Sequence, residues 1–292
     1  MRIIENPDLS KMSTLKMGGI AMKSFYPEDF HDLDKLSMIW ADLGENILIL
    51  GRGSNILFGE NNSELCVICW SGKDSPELVV EKENIVRVMA DAGLSLPSFL
   101  RWCAKHGLTG LEGLTGIPGS LGGAVAMNAG SYGSEVLDYV EKVTVWTPED
   151  GIKEFFKDDF QKGYRKFSLK SAGKNYIIIN ACFALKKSDQ ELIKLRMRHN
   201  YQKKKQSQPV LESTAGCVFK NPEGHPPAGF LLEKAGFKGK ARKGVGFSDR
   251  HANFLVNISQ GQSRDALELI SEAREKVQEL FGVNLELEVK VI

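Results

Sequence analysis

The stretch "GLTGIPGSLGGAVAMNAGSYGSE", residues 113–135, holds seven glycines and a single charged residue, Glu135. No ordinary helix or strand carries that density, because glycine gives up more backbone freedom on ordering than any other residue. The stretch therefore reads as a loop that something approaches at main-chain distance. A second loop of the same kind, "LGRGSNIL" (50–57), follows directly on the apolar run "NILIL" (46–50) and contains Gly51, Gly53, Ser54 and Asn55. Backbone N–H groups turned outward in such loops form a concave nest for an anion, typically a pyrophosphate. Ser54, Asn55 and Ser120 add side-chain donors. One Gly-x-Gly alone would be no more than a tight turn.

The common phosphate motifs do not account for the pair. A dinucleotide fingerprint needs a third glycine at position 56, where Ile56 stands,. A P-loop needs Gly-Lys followed by Ser or Thr, which neither "SGKDS" (71–75) nor "AGKN" (172–175) supplies,. The two loops call for a different nucleotide-binding fold.

Around them, helical and strand patterns alternate without an internal repeat. "PEDFHDLDKLSMIWADLG" (27–44) places Phe30, Leu33, Leu36, Trp40 and Leu43 on one helical face and stops at Gly44,. "SLPSFLRWCAKHG" (95–107) predicts a helix with Ser95 as N-cap, an early Pro97 and a terminal Gly107,. "YVEKVTVWTPEDGIKEFF" (139–156) has strand propensity on both sides of a "PEDG" turn,. "YIIINACFAL" (176–185) predicts a strand, after which "SDQE" (188–191) forms a capping box for a helix carrying the basic segment "KLRMRHNYQKKK" (194–205),. "SRDALELISEAREKVQELFG" (263–282) is amphipathic, and "NLELEVKVI" (284–292) predicts a closing strand. The fold class is α+β, with expected segments 1–72, 73–187 and 188–292.

Bulk properties narrow the functional classes. The 292 residues carry 38 Lys and Arg against 37 Asp and Glu, a net charge of +1, so no general nucleic-acid binding is expected. The N-terminus lacks an apolar core of signal-peptide length, and the longest apolar runs are too short to span a bilayer. A cytoplasmic protein is expected, with no membrane contact and no obligate protein partner evident. Five cysteines, at 66, 69, 103, 182 and 217, form no disulfide framework,. Cys66 and Cys69 sit inside the apolar run "LCVICW" with no second pair near them, so buried strand thiols are expected and no metal site.

Seven motifs then occur in order: "STLKMGG" (13–19), "LGRGSNIL", "GLEGLTGIPGSLGGAVAMNAGSYGSE" (110–135), "GYR" (163–165), "AGCVFKNP" (215–222), "HANFLVN" (251–257) and "LELEV" (285–289). Together they resemble the UDP-N-acetylenolpyruvoylglucosamine reductases, across nearly the whole chain. The resemblance implies a two-part FAD-binding domain of the vanillyl-alcohol-oxidase type and a smaller C-terminal substrate domain. It implies non-covalently bound FAD, NADPH as co-substrate, and UDP-N-acetylglucosamine enolpyruvate as the molecule reduced. By that similarity the FAD lies against Gly51, Arg52, Gly53, Ser54 and Asn55 in one loop. In the other it lies against Gly116, Ile117, Pro118, Gly119, Ser120, Gly122, Gly123, Asn128 and Gly130.

The same resemblance places Cys217 where the family keeps a serine or cysteine as proton donor, Arg165 near the substrate carboxylate, and Glu288 as the catalytic glutamate. Tyr164, Lys220 and Asn221 are implied substrate contacts. The basic helix segment is expected either to attract the UDP diphosphate or to be a solvated face. The chain departs from the family pattern at Phe167, where a serine is usual, and at "LEST" before Ala215-Gly216. It lacks the extra tyrosine-bearing loop of the longer family class. An FAD-dependent oxidase on the same scaffold is the alternative; many such oxidases attach FAD through a histidine in the first loop, and "GRGSN" has none.

Overall fold

The computed structural model describes residues 1–72, 74–82, 84–171 and 175–292; Lys73 and the Ala-Gly-Lys of 172–174 from the two rejected P-loop candidates lie outside the described residues. The chain forms two compact units whose segments interleave, where the sequence suggests three consecutive ones. The first comprises 1–5, 23–51 and 65–202; the second comprises 6–22, 52–64 and 203–292.

In the first unit the main sheet runs in the order Gly151–Phe156, Val140–Thr147, Ile177–Lys187, Ile85–Asp91, Glu77–Lys82, with Leu108–Thr109 also paired to Ile177–Lys187. Every pairing in it is antiparallel. The central strand Ile177–Lys187 is the predicted "YIIINACFAL" strand, and its buried run is what a strand packed on both faces requires,. The "PEDG" turn is where expected: Thr147 pairs with Gly151, which has φ 69°.

Helices α1 (Phe30–Ile39), α2 (Leu96–Lys105) and α3 (Leu121–Ala126) belong to this unit. In α1 Leu33 and Leu36 are buried, but Phe30 is 55% exposed and the last turn tightens into a 3-10 helix, Trp40–Leu43. Ser95 caps α2 through the Ser98 N–H as predicted. Leu96, Phe99, Leu100 and Cys103 on its inner face join Leu121 and Val125 of α3 and Val86, Val88, Phe183 and Leu185 of the sheet in one core. A smaller sheet carries Ile47–Ile49 parallel to Cys66–Ile68, and it delivers the chain into the first glycine loop.

The next helix, α4 (Gln190–Ser207), is capped one residue later than the sequence suggests: Asp189 Oδ1 accepts the Leu192 N–H at 2.9 Å. Ser188 instead donates its N–H to the Gly107 carbonyl.

The second unit is built on the antiparallel order Thr214–Cys217, Phe254–Asn257, Val245–Phe247, Ala241–Arg242. Helices α5 (Ala228–Lys234) and α6 (Ser263–Phe281) share a core with it. Buried Ala266, Leu269, Ile270, Ala273 and Val277 of α6 recur at three and four residues, the spacing of one helical face,. The helix ends at Gly282, whose φ of 68° is the left-handed cap glycine favours,.

The "NLELEVKVI" strand is shorter than expected. Only Lys290–Val291 is regular, running parallel to Ile56–Leu57. Upstream, Glu288 and Val289 both donate their N–H to the Val218 carbonyl, at 2.8 and 3.3 Å, and a shared acceptor interrupts the alternating ladder,.

Leu269 is 1% exposed at the centre of the α6 face. Leu269→Ala is expected to lower stability by about 2–5 kcal/mol, read from the midpoint of a urea unfolding curve at unchanged slope.

Candidate active site

Gly51 of the first glycine loop meets the second loop within the first unit. A Cβ placed on Gly51 would lie 2.4 Å from Ser120 Oγ and 3.6 Å from Gly123 Cα. Ser120 is the N-cap of α3, its hydroxyl accepting the Gly123 N–H at 3.2 Å. The second loop is in turn stitched to residues 92–96. Leu96 donates to the Gly119 carbonyl, Leu121 to that of Leu94, and Gly122 to that of Ala92. A Cβ on Gly122 would meet the Ala92 Cβ at 2.8 Å.

Several of these glycines are thus demanded by chain packing. The same holds for Gly113 against the Ser131 carbonyl at 2.7 Å, and for Gly130, whose Cβ would lie 3.0 Å from the Ser134 carbonyl. In the second unit Gly53 has φ 60°, and a Cβ there would lie 2.1 Å from the Met12 carbonyl oxygen. Thr14 of "STLKMGG" donates its N–H to the Gly53 carbonyl at 3.2 Å, so that motif clamps the loop.

Residues outside the recognised set shape the second loop. Glu112, 8% exposed, accepts from Thr109 Oγ1 at 2.5 Å and the Gly110 N–H at 2.7 Å. Arg196 Nη1 stands 3.7 Å from the same carboxylate, and Asn200 donates to the Glu112 carbonyl at 2.9 Å. Part of the basic segment therefore braces the loop. Within the same segment Lys204 is 2% exposed, unlike a solvated face. Asp91 Oδ1 accepts from Trp70 Nε1 and the Gly93 N–H, and burial pushes its carboxyl up from the ordinary range. The signal for Glu112 was its place inside "GLEGLTG"; nothing local marked Asp91.

Asn128 is fully buried. Its amide donates to Glu135 Oε2 and the Gly163 carbonyl and accepts from the Leu137 N–H. That uses both of its amide protons, so its side chain shapes the loop from within and does not offer a donor to a ligand. Tyr164 and Arg165 form the two-residue turn between the strands Phe160–Gly163 and Lys166–Leu169. Arg165 takes φ 55°, donates from Nη2 to the Gly130 carbonyl at 2.9 Å, and lies with its guanidinium 4.9 Å from the Tyr164 ring centre. Phe167 points into the core, edge-on to Phe160 at 5.3 Å, so the departure from the usual serine is a packing choice beneath the turn.

In the second unit Cys217 ends its strand opposite Phe254 and is half-buried. The other four cysteines are buried; burial pushes all four thiols up, Cys69 to about 12. Asn253 of "HANFLVN" exchanges hydrogen bonds with both the N–H and the carbonyl of Phe219, at 3.0 and 2.8 Å, and so fixes the chain just past Cys217. Its own N–H donates to His251 Nδ1, which puts the ring proton on Nε2. Burial first, then Lys238, holds that imidazole below its ordinary value.

The Glu288 segment lies directly alongside. Glu288 donates its N–H to the Val218 carbonyl at 2.8 Å, and Asn55 Nδ2 donates to the Glu288 carbonyl at 3.0 Å. Asn55, expected against the cofactor, thus holds the backbone of the expected catalytic glutamate. Lys220 pairs with Glu286 at 3.1 Å on the exposed rim, and Asn221 Oδ1 accepts the Ala228 N–H at the start of α5. The structure groups Cys217, Glu288, Asn55, Lys220 and Asn221 in the second unit and Gly130, Tyr164 and Arg165 in the first. Among the described residues no cluster suited to a metal ion occurs, and no helix is long and apolar enough to cross a membrane.

Two family models match: an FAD binding domain over residues 24–155 and the C-terminal domain of UDP-N-acetylenolpyruvoylglucosamine reductase over 208–292. The reductase of Nitratidesulfovibrio vulgaris is 41% identical over 292 residues, covering 100% of this chain and 99% of the relative. The chain belongs to the UDP-N-acetylenolpyruvoylglucosamine reductase family. The Leuconostoc mesenteroides reductase is 38% identical and covers 100% of this chain and 97% of its own. The crystal structure of the reductase from Thermus caldophilus superposes with a TM-score of 0.82 at 33% identity, covering 100% and 99% of the two chains.

The cofactor of this fold is FAD. Among the described residues, the backbone N–H groups of Gly51, Arg52, Gly53 and Ser54 have no acceptor, nor do those of Gly116, Gly119 and Ser120. Gly53, Gly116 and Gly119 have positive φ, which glycine adopts without strain,.

Because the Gly53 contact is with protein backbone, Gly53→Ala is expected to destabilise the FAD-free protein by about 1–3 kcal/mol. At Gly123, inside α3, the nearest atom to a new Cβ is Ser120 Oγ at 3.1 Å. Gly123→Ala should therefore stay within about 1 kcal/mol of the parent. Thermal unfolding of both apoproteins checks the contrast.

Proposed function

We propose that this chain reduces UDP-N-acetylglucosamine enolpyruvate to UDP-N-acetylmuramate with NADPH as reductant, in the cytoplasm, as a step of peptidoglycan precursor synthesis. The observation that carries the reading is the pairing of the Cys217 and Glu288 segments in a chain that matches reductases along its whole length. FAD, when bound, relays the hydride from NADPH to the enolpyruvyl group.

The double bond reduced is conjugated to a carboxylate. A hydride added at its terminal carbon leaves the electron pair on the carbon bearing the carboxylate, and that carbon must take a proton. The chain has to hold the carboxylate, stabilise the charge that develops on it and supply the proton. Cys217 is the proposed acid. It is the one cysteine that is not buried, and Asn253 and the Glu288 backbone fix the chain just past it, at Phe219 and Val218.

Glu288 is proposed to orient that proton transfer, its own position set by Asn55. Arg165 is proposed to pair with the substrate carboxylate. Its bond to the Gly130 carbonyl and its place over the Tyr164 ring fix the plane of the guanidinium, which suits bidentate recognition,. Lys220 and Asn221 are proposed contacts of the UDP portion, and the glycine loops are the proposed FAD pyrophosphate cradle. The left-handed backbone at Arg165, strained for a residue with a side chain, supports a functional reason for an arginine at that turn.

Anaerobic stopped-flow separates the two half-reactions. Cys217→Ser keeps a proton at similar reach and should retain substantial turnover. Cys217→Ala should be reduced by NADPH at near-normal rate and then stall on addition of the enolpyruvyl substrate. Arg165→Met and Glu288→Gln should slow the second half-reaction by about 10²–10³ and leave the first little changed. Rapid flavin reoxidation by substrate in Cys217→Ala, with normal product yield, would remove the thiol from the mechanism.

A further inference from the structure

The second unit contains a cavity of about 600 Å³ that none of the proposed chemistry uses, lined among others by Lys16, Glu60, Ser213, Asn257, Gln262 and Ser263. One end of it is the start of α6, a helix of 19 residues. Its N-cap, Gln262, makes no side-chain cap bond, and among the described residues the N–H groups of Ser263, Arg264 and Asp265 have no acceptor. Ser263, on the cavity wall, is 2% exposed, and its hydroxyl is buried with no hydrogen-bond partner. A buried hydroxyl left unmatched is costly; beside three outward N–H groups of a helix start it belongs to a set of donors waiting for an acceptor.

The wall carries one cation, Lys16, and one anion, Glu60. Asp265, the acid of the first turn, is 2% exposed; its Oδ1 lies 3.4 Å from Lys243 Nζ and accepts no hydrogen bond. It is not part of the wall. Lys16 is on the wall and exposed, its backbone held at φ 56°, with Asn257 Nδ2 bonded to the Leu15 and Lys16 carbonyls. Asn257 also accepts the Gly261 N–H at 2.9 Å, so one side chain fixes both the lysine loop and the approach to α6. The opposite character comes from Glu60, whose carboxylate is exposed on the wall.

We propose that this cavity binds a phosphorylated sugar or polyol, its phosphate on Ser263, the α6 N-terminus and Lys16, and its hydroxyls toward Glu60. Backbone N–H groups and the helix dipole suit a phosphate. The volume falls in the range of small-molecule sites, well beyond a lone phosphate, and a carboxylate on the wall accepts hydroxyl protons while repelling a second anionic group. The ligand would touch Ser213 and Asn257, whose backbones are bonded at 2.9 Å in the strand pair that ends at Cys217.

The test uses the full chain saturated with FAD. Glycerol 3-phosphate and inorganic phosphate are titrated separately, with the amide signals of Gly261, Ser263 and Arg264 followed by NMR. Saturable shifts of these amides are expected, with glycerol 3-phosphate at least tenfold tighter than inorganic phosphate. Ser263→Ala and Lys16→Ala should each weaken glycerol 3-phosphate at least tenfold without changing FAD content, and Glu60→Gln should narrow the gap between the two probes. Absence of saturable shifts, binding unaffected by both Ser263→Ala and Lys16→Ala, or equal affinity for the two probes would each overturn the proposal.

Discussion

Ser120 Oγ lies 2.4 Å from the point where a Cβ on Gly51 would begin, so the first glycine loop and the N-cap of α3 touch main chain to hydroxyl. Any side chain at Gly51 would push Ser120 off its bond to the Gly123 N–H or part the loops. The second loop cannot move away, because Gly119, Leu121 and Gly122 are bonded to residues 92–96, which follow a strand of the main sheet. Asp91 at the end of that strand holds Gly93 by its carboxylate, and Glu112 holds the loop's entry. The backbone of the second loop, and Gly51 beside it, is therefore set by the sheet, through contacts too close for side chains.

In the second unit the same economy of side chains works at a different scale. Gly53 is pressed against Met12, Thr14 holds its carbonyl, and two residues on, Asn55 holds the Glu288 backbone. Cys217 and Glu288 are neighbours because Val218 accepts from the Glu288 segment while Asn253 grips Phe219 from the other side. The Val218 bonds are backbone to backbone and those of Asn55 and Asn253 are side chain to backbone, so two asparagine amides and the strand geometry together set the spacing of acid and glutamate.

Much of this was legible in the chain itself. Turn residues, caps and hydrophobic spacing placed α2, α6, the "PEDG" hairpin and the central strand Ile177–Lys187, because those elements follow local rules. The ordered motifs singled out Cys217, Glu288 and Arg165 for chemistry. The glycine-rich loops were visible as places of close approach, but not what approaches: at Gly51, Gly53 and Gly122 it is the protein's own chain. Asn55 and Asn128 stand in the motifs as ligand contacts; in the structure the Asn55 amide bonds to the Glu288 carbonyl, and the Asn128 side chain bonds to Glu135, Gly163 and Leu137.

By itself the sequence determined the α+β class, the two glycine-rich loops and the family, since each is carried by motifs whose residues lie close together along the chain. Tertiary structure alone decided that segments 6–22 and 52–64 join the C-terminal unit, that the basic helix braces Glu112, and that Phe167 serves the core. It also left the Ser263 hydroxyl buried without a partner. The first two depend on contacts between residues tens of positions or more apart, and neither periodicity nor propensity carries information about partners at that separation.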